Sequence, residues 1–256
     1  MDLDTRIFYY INNFARDTPW LHPVVAGYAE DGVVLFAGFL LAGWWIARRS
    51  NNPRAMAAAV WAPLGVLAAV AINQPIADTI NATRPCNALP HIVVLHCNTD
   101  GGFPSDHAMM AGAVAAGVWL VNRRLGVIAA IAAVAMALAR VYVGAHYPQD
   151  VLAGLALGAT LSVCGYLLAR PGLSRLVVGG AKTWLRPLIT AAEPGALFGL
   201  SVLTATRCQS DGIPDSCSAS ISWKPVKGVD GHDSPARSDQ PDGRSPDAGG
   251  GDHVGP

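Results

Sequence analysis

The sequence predicts an all-α, polytopic membrane helix bundle with five spans, or six if Leu188–Thr206 also crosses. Three observations carry that prediction. Hydrophobic residues make up 52% of the 256 residues and charged residues only 14%, against about 25% charged in soluble domains. Of 36 charged residues, 13 fall from Arg207 onward, so 206 residues share the other 23. Basic residues also cluster in alternate loops, as they do between successive membrane spans.

Residues 1–20 open the chain. Leu3, Ile7, Phe8, Ile11 and Phe14 share a helical face, and Arg6, Asn12, Asn13 and Arg16 lie elsewhere on the wheel. The pattern predicts an amphipathic helix in the outer interface, or packed on the bundle. Met1–Tyr10 lacks a basic stretch followed by an apolar core, so it does not read as a cleavable signal.

Residues 21–170 form the expected membrane domain. Its apolar runs are Val33–Ala47, Ala55–Ile72, Ala108–Val121, Leu125–Ala139 and Val151–Ala169. About 20 helical residues cross a bilayer, so the shorter runs need extensions such as Asn73–Ile80. Val127–Ala139 shows no polar face of the kind a soluble bundle would require.

Arg48, Arg49 and Arg54 join the first two spans, and Arg123 and Arg124 the third and fourth. Arg170, Arg175, Lys182 and Arg186 follow the fifth. These loops should be cytoplasmic, with the N-terminus and the Arg84/Arg140 face outside. Residues 171–206 read as a basic cytoplasmic segment in which Leu188–Thr206, carrying Glu193 and Pro194, is interfacial. Residues 207–256, rich in Gly, Pro, Ser and Asp, read as a disordered cytoplasmic tail.

Composition excludes several functions. Lys+Arg and Asp+Glu both number 18, so no net charge attracts nucleic acid. There is no GxxxxGK[ST] loop and no CxxC pair. Cys86 and Cys97 share the outer loop, where a disulfide is permitted. Cys86, His91, His96 and Cys97 fit no familiar zinc spacing.

The chemistry-bearing residues gather on the outer face: Arg84-Pro85; Pro104-Ser105-Asp106-His107; and Arg140, His146 and Asp150 around a Gly144 turn. Ser105 or Asp106 can cap the following helix, whose start attracts phosphate. Arg holds phosphate oxygens through paired hydrogen bonds. A carboxylate beside an imidazole fixes its tautomer. Together these supply what phosphoryl transfer needs: positive charge, a nucleophile and an acid.

These residues resemble the type 2 phosphatidic acid phosphatase (PAP2) superfamily. Its pattern is Lys-x6-Arg-Pro, Pro-Ser-Gly-His, then Ser-Arg-x5-His-x3-Asp. Here stand Arg84-Pro85, Pro104-Ser105-Asp106-His107, and Ala139-Arg140-x5-His146-x3-Asp150, within residues 20–170. FPSDHA and VGAHYPQDVLAG look most like the undecaprenyl-diphosphatase branch. Two positions depart from the pattern: Ala77 replaces the Lys, and Ala139 the Ser.

The resemblance implies that His146 is the nucleophile, that Asp150 orients it, and that His107 protonates the leaving oxygen and then activates water. Arg84, Arg140, Ser105 and the Asp106 helix start would bind phosphate. It implies no metal and no cofactor. The implied partner is a lipid phosphate in the plasma membrane, undecaprenyl or decaprenyl diphosphate first. Phosphatidylglycerol phosphate, phosphatidic acid or a prenyl-phosphoryl sugar phosphate come next. A non-catalytic carrier or assembly protein is the competing class. Ala77→Lys should then restore a phosphate contact. Oligomeric state is not legible.

Overall fold

The computed structural model describes residues 2–191. The expectations for residues 207–256, and for nearly all of Leu188–Thr206, fall outside the described residues. Among the described residues the fold is helical, with no strand.

Helix α1 (Leu3–Asp17) is capped by Asp2, which accepts from the Thr5 N–H at 3.1 Å. A short 3₁₀ turn (Pro19–Leu21) leads into α2 (His22–Asp31). Then come α3 (Val33–Ser50), α4 (Pro53–Ile80), the single-turn α5 (Pro85–Ala88) and α6 (Asp106–Val121). Finally α7 (Arg123–Tyr142), α8 (Pro148–Gly180) and the short α9 (Arg186–Ile189) complete it.

Among the described residues, α3, α4, α7 and α8 are long and apolar enough to cross a membrane. The fifth predicted span, α6, has 16 residues. At about 1.5 Å per residue that is roughly 24 Å, short of a hydrocarbon core. It can be short because it is central: α6 packs against α3, α4, α7 and α8, and residues such as Ala108, Ala111 and Val114 are buried.

Sequence reading ended the last span at Ala169. The helix instead continues through Pro171 to Gly180. The N-terminal helix also differs from expectation. Leu3, Ile7, Tyr10 and Phe14 stay exposed, whereas Phe8, Asn12 and Ala15 are buried. Asn12 faces inward because its amide pairs with the Val93 backbone in both directions, each bond 2.8 Å.

Glycine sets the contact between α6 and α8. A Cβ at Gly158 would lie 1.9 Å from the Met109 carbonyl oxygen, and one at Gly154 2.7 Å from that of Ser105. The backbones therefore touch, which draws the start of α6 against the start of α8. The Ser105 N–H donates to the Asp150 carbonyl at 3.1 Å across this junction.

Candidate active site

Four chain segments converge at one end of the bundle: the loop after α4, the start of α6, the end of α7 and the α7–α8 turn. Gly144 makes that turn at φ +83°, and a Cβ there would meet the Val93 carbonyl oxygen at 2.7 Å. The loop between α5 and α6 crosses just above, where the Leu95 N–H donates to the Val143 carbonyl at 3.0 Å. A Cys86–Cys97 disulfide closes that loop.

His146 is buried, 1% exposed. Its Nδ1 lies 2.8 Å from the Gly102 carbonyl. A carbonyl only accepts, so Nδ1 carries the hydrogen and Nε2 the lone pair. Nε2 in turn accepts from Arg84 Nη1 at 2.7 Å. Burial first, then the guanidinium groups of Arg84 and Arg140, hold this imidazole well below its ordinary pKa and keep it neutral.

Asp150 was expected to orient His146. It stands 3.8 Å from Nδ1, farther than the Gly102 carbonyl, and its Oδ2 accepts from the Tyr147 N–H at 2.8 Å. Tyr147 caps α8, so Asp150 braces the helix start first and neighbours the imidazole second. Gly102 was not foreseen, because a backbone acceptor leaves no mark in residue type.

The two arginines are bound differently. Arg84 is 2% exposed and uses all five N–H donors. These go to the Asp100 carbonyl (3.1 Å), Asp100 Oδ1 (3.0 Å), the Gly101 carbonyl (3.2 Å), the Ala145 carbonyl (3.3 Å) and His146. Arg140, 1% exposed, donates from Nη1 to the Ala29 carbonyl at 3.3 Å, while its buried Nε has no partner.

Ser105 occupies the N-cap position of α6, but its hydroxyl makes no capping bond. The Ser105 Oγ is buried and unpartnered, as is the Oδ1 of Asn73. Asn73, missed in the sequence, donates to Asp106 Oδ1 and to the Pro104 carbonyl. Its only sequence signal was an amide inside an apolar helix, one turn before Ala77. His107 is half-buried, within electrostatic reach of Arg140, His146, His96 and Arg84. His96 pairs with Glu30 at 2.5 Å.

The arrangement can do phosphoryl chemistry. A neutral imidazole offers a lone pair, the same end of the bundle holds an unpartnered guanidinium N–H on Arg140 and an unpartnered hydroxyl on Ser105, and a second imidazole is in electrostatic reach.

The PAP2 superfamily model matches residues 58–171, the stretch that carries all three motifs. Over that stretch the chain is similar to the PAP2 superfamily. It is 28% identical over 174 residues to the bacitracin transport permease protein BcrC of Bacillus licheniformis, covering 68% of this chain and 83% of that relative. It is 28% identical over 169 residues to the undecaprenyl-diphosphatase BcrC of Bacillus subtilis, covering 66% and 83%. The fold is similar to the crystal structure of a transmembrane PAP2-type phosphatidylglycerolphosphate phosphatase from Bacillus subtilis. There the TM-score is 0.52 at 22% identity, covering 67% of this chain and 88% of that one. With four helices long and apolar enough to cross a membrane among its described residues, the chain is a multi-pass membrane protein.

Proposed function

We propose that this protein, a membrane lipid phosphatase of the PAP2 superfamily, hydrolyses a polyprenyl diphosphate, undecaprenyl or decaprenyl. The reaction would run at the outer membrane face through a phosphohistidine on His146. One observation supports this most: the buried His146 ring, tautomer set by the Gly102 carbonyl, keeps its lone pair on Nε2. The motif order within residues 58–171 and the named diphosphatase relative support the substrate class.

Nε2 attacks the terminal phosphorus after Arg84 Nη1 turns from it to a phosphoryl oxygen. The P–N bond forms as the bridging P–O bond breaks. His107 gives its proton to the departing lipid-phosphate oxygen. It then takes a proton from water, whose oxygen attacks phosphorus. The P–N bond breaks, inorganic phosphate leaves, and the lone pair returns to Nε2. Arg140 Nε and Ser105 Oγ hold equatorial oxygens throughout. Asp150, 3.8 Å from Nδ1, stabilises the positive charge on the phosphorylated ring.

The outer-face assignment rests on charge. Arg48, Arg49, Arg54, Arg123 and Arg124 lie at the helix ends remote from His146, and basic ends face the cytoplasm. The C-terminal segment would then be cytoplasmic.

The test is phosphate release by purified protein from a panel of lipid mono- and diphosphates, with His146→Ala alongside. Polyprenyl diphosphate should show the highest kcat/KM, and His146→Ala should lose at least about 10³-fold in kcat. Equal release from both proteins would remove His146 as nucleophile. A preference for phosphatidic acid or phosphatidylglycerol phosphate would overturn the substrate.

A further inference from the structure

We propose that Asn73 is a positioning residue: from inside α4 it clamps the Pro104 carbonyl and the Asp106 carboxylate. The start of α6 thereby presents Ser105 and backbone N–H groups, rather than a negative charge, to the phosphoryl group. This rests on the phosphatase reading above.

Asn73 is fully buried in a membrane-spanning helix. An amide is costly there unless it bonds or does work. It does both. The two N–H groups of Nδ2 meet two oxygens, Pro104 O at 3.3 Å and Asp106 Oδ1. Those oxygens flank Ser105, whose own hydroxyl is buried and free. One amide therefore fixes both sides of the turn that aims Ser105.

Charge explains why the clamp matters. Where the resembled pattern has Gly, this chain has Asp106, in electrostatic range of Arg84, Arg140 and Asp100. A free carboxylate at this helix start would swing toward the guanidinium groups that the phosphoryl oxygens need, and repel those oxygens. Bound to Asn73, it is tied to α4 instead. Position 77, one turn further along α4, carries no cation in this chain. Anion binding at this end of the bundle thus leans on the remaining donors being undisturbed.

The test is a double-mutant comparison in the full chain, purified in detergent, with orthovanadate as binding probe and lipid diphosphate turnover as second readout. Asn73→Ala should weaken orthovanadate binding and raise KM about tenfold, the loss of one charge-assisted hydrogen bond, with kcat changed far less. In an Asp106→Gly background, the same Asn73→Ala should alter both quantities far less, because only the Pro104 contact then remains to be lost. Equal losses in both backgrounds, or none in either, would overturn the proposal. If Asn73→Ala does not fold, Asn73→Ser carries the same comparison, since it keeps a donor too short to span to Asp106. Wild-type protein that binds orthovanadate but leaves polyprenyl diphosphate intact would overturn the substrate and leave the Asn73 comparison decisive. Failure of the wild type to bind orthovanadate would overturn both.

Discussion

Arg84 Nη1 donates to His146 Nε2 at 2.7 Å, so the nitrogen proposed as the nucleophile already accepts a hydrogen bond. The same guanidinium forms an ion pair with Asp100 at 3.0 Å. A phosphoryl group must take over both contacts, and its oxygens offer the same acceptor chemistry as the Asp100 carboxylate.

Asp100 is accordingly a competitor for Arg84. Its side chain is 57% exposed, so screening limits its effect to about 1 kcal/mol or less. Asp100→Asn should lower KM for a lipid diphosphate by up to about fivefold, and tighten inorganic phosphate binding in parallel. Steady-state kinetics and calorimetry check this. A raised KM would mean that Asp100 chiefly holds Arg84 in place.

The second prediction concerns pH. The folded chain holds His146 below the unfolded imidazole value of 6.5. Above pH 6.5 both folded and unfolded states keep this ring neutral, and its contribution to stability is unchanged. Below pH 6.5 the unfolded chain takes up a proton that the folded site resists, so stability falls with acidification. Spectra of ¹⁵N-histidine-labelled protein should show a neutral Nδ1–H ring for His146 between pH 6.5 and 5. Titration with a midpoint near 6.5, or an Nε2–H tautomer, would contradict the geometry around Arg84, Arg140, Gly102 and Asp150.

Ala77→Lys provides a third. The motif comparison alone predicts tighter phosphate binding. The structure predicts otherwise. Ala77 is 7% exposed, and a Cβ on Gly101 would lie 2.6 Å from its carbonyl oxygen. A lysine at this buried position is expected to disturb the adjoining 100–102 segment, which supplies acceptors to Arg84 and His146. Overpacking of this kind costs about 1–3 kcal/mol. Thermal unfolding should drop, with orthovanadate affinity unchanged or weaker. A tighter complex would show that the lysine finds a route to the anion.

The fourth concerns the Cys86–Cys97 bridge, which closes a sequence separation of 11. Loop-closure entropy assigns about 2–3 kcal/mol to a link of this length. Replacing both cysteines by serine should lower the unfolding temperature and raise KM, since Arg84 and His96 adjoin the bridged residues. Identical melting with and without a reductant would show that the link adds nothing.

Much of the bundle was legible because lipid imposes it. The five apolar runs became α3, α4, α6, α7 and α8, and the alternation of arginines marked their ends. Arg84, Ser105, Asp106, His107, Arg140, His146 and Asp150 do come together. What could not be read depends on backbone atoms brought close by folding. The Gly102 carbonyl, rather than Asp150, holds the His146 ring, and the Val93 backbone turns Asn12 inward against its own helical pattern. The fifth apolar run stops at Ala169, yet α8 continues through Pro171 to Gly180. Arg84 and Arg140 read as equivalent. Only their partners separate a saturated guanidinium from one with a spare donor.

The seam between α6 and α8 has a further meaning. Because hydrogen atoms at positions 154 and 158 are all that parts one main chain from the other, the depth of the reaction centre is metered by the thinnest spacer that protein chemistry possesses. A single methyl group introduced at Gly154 would press on the Ser105 carbonyl and lift Ser105 from its seat. The membrane interior, and not only the pocket, thereby calibrates the chemistry.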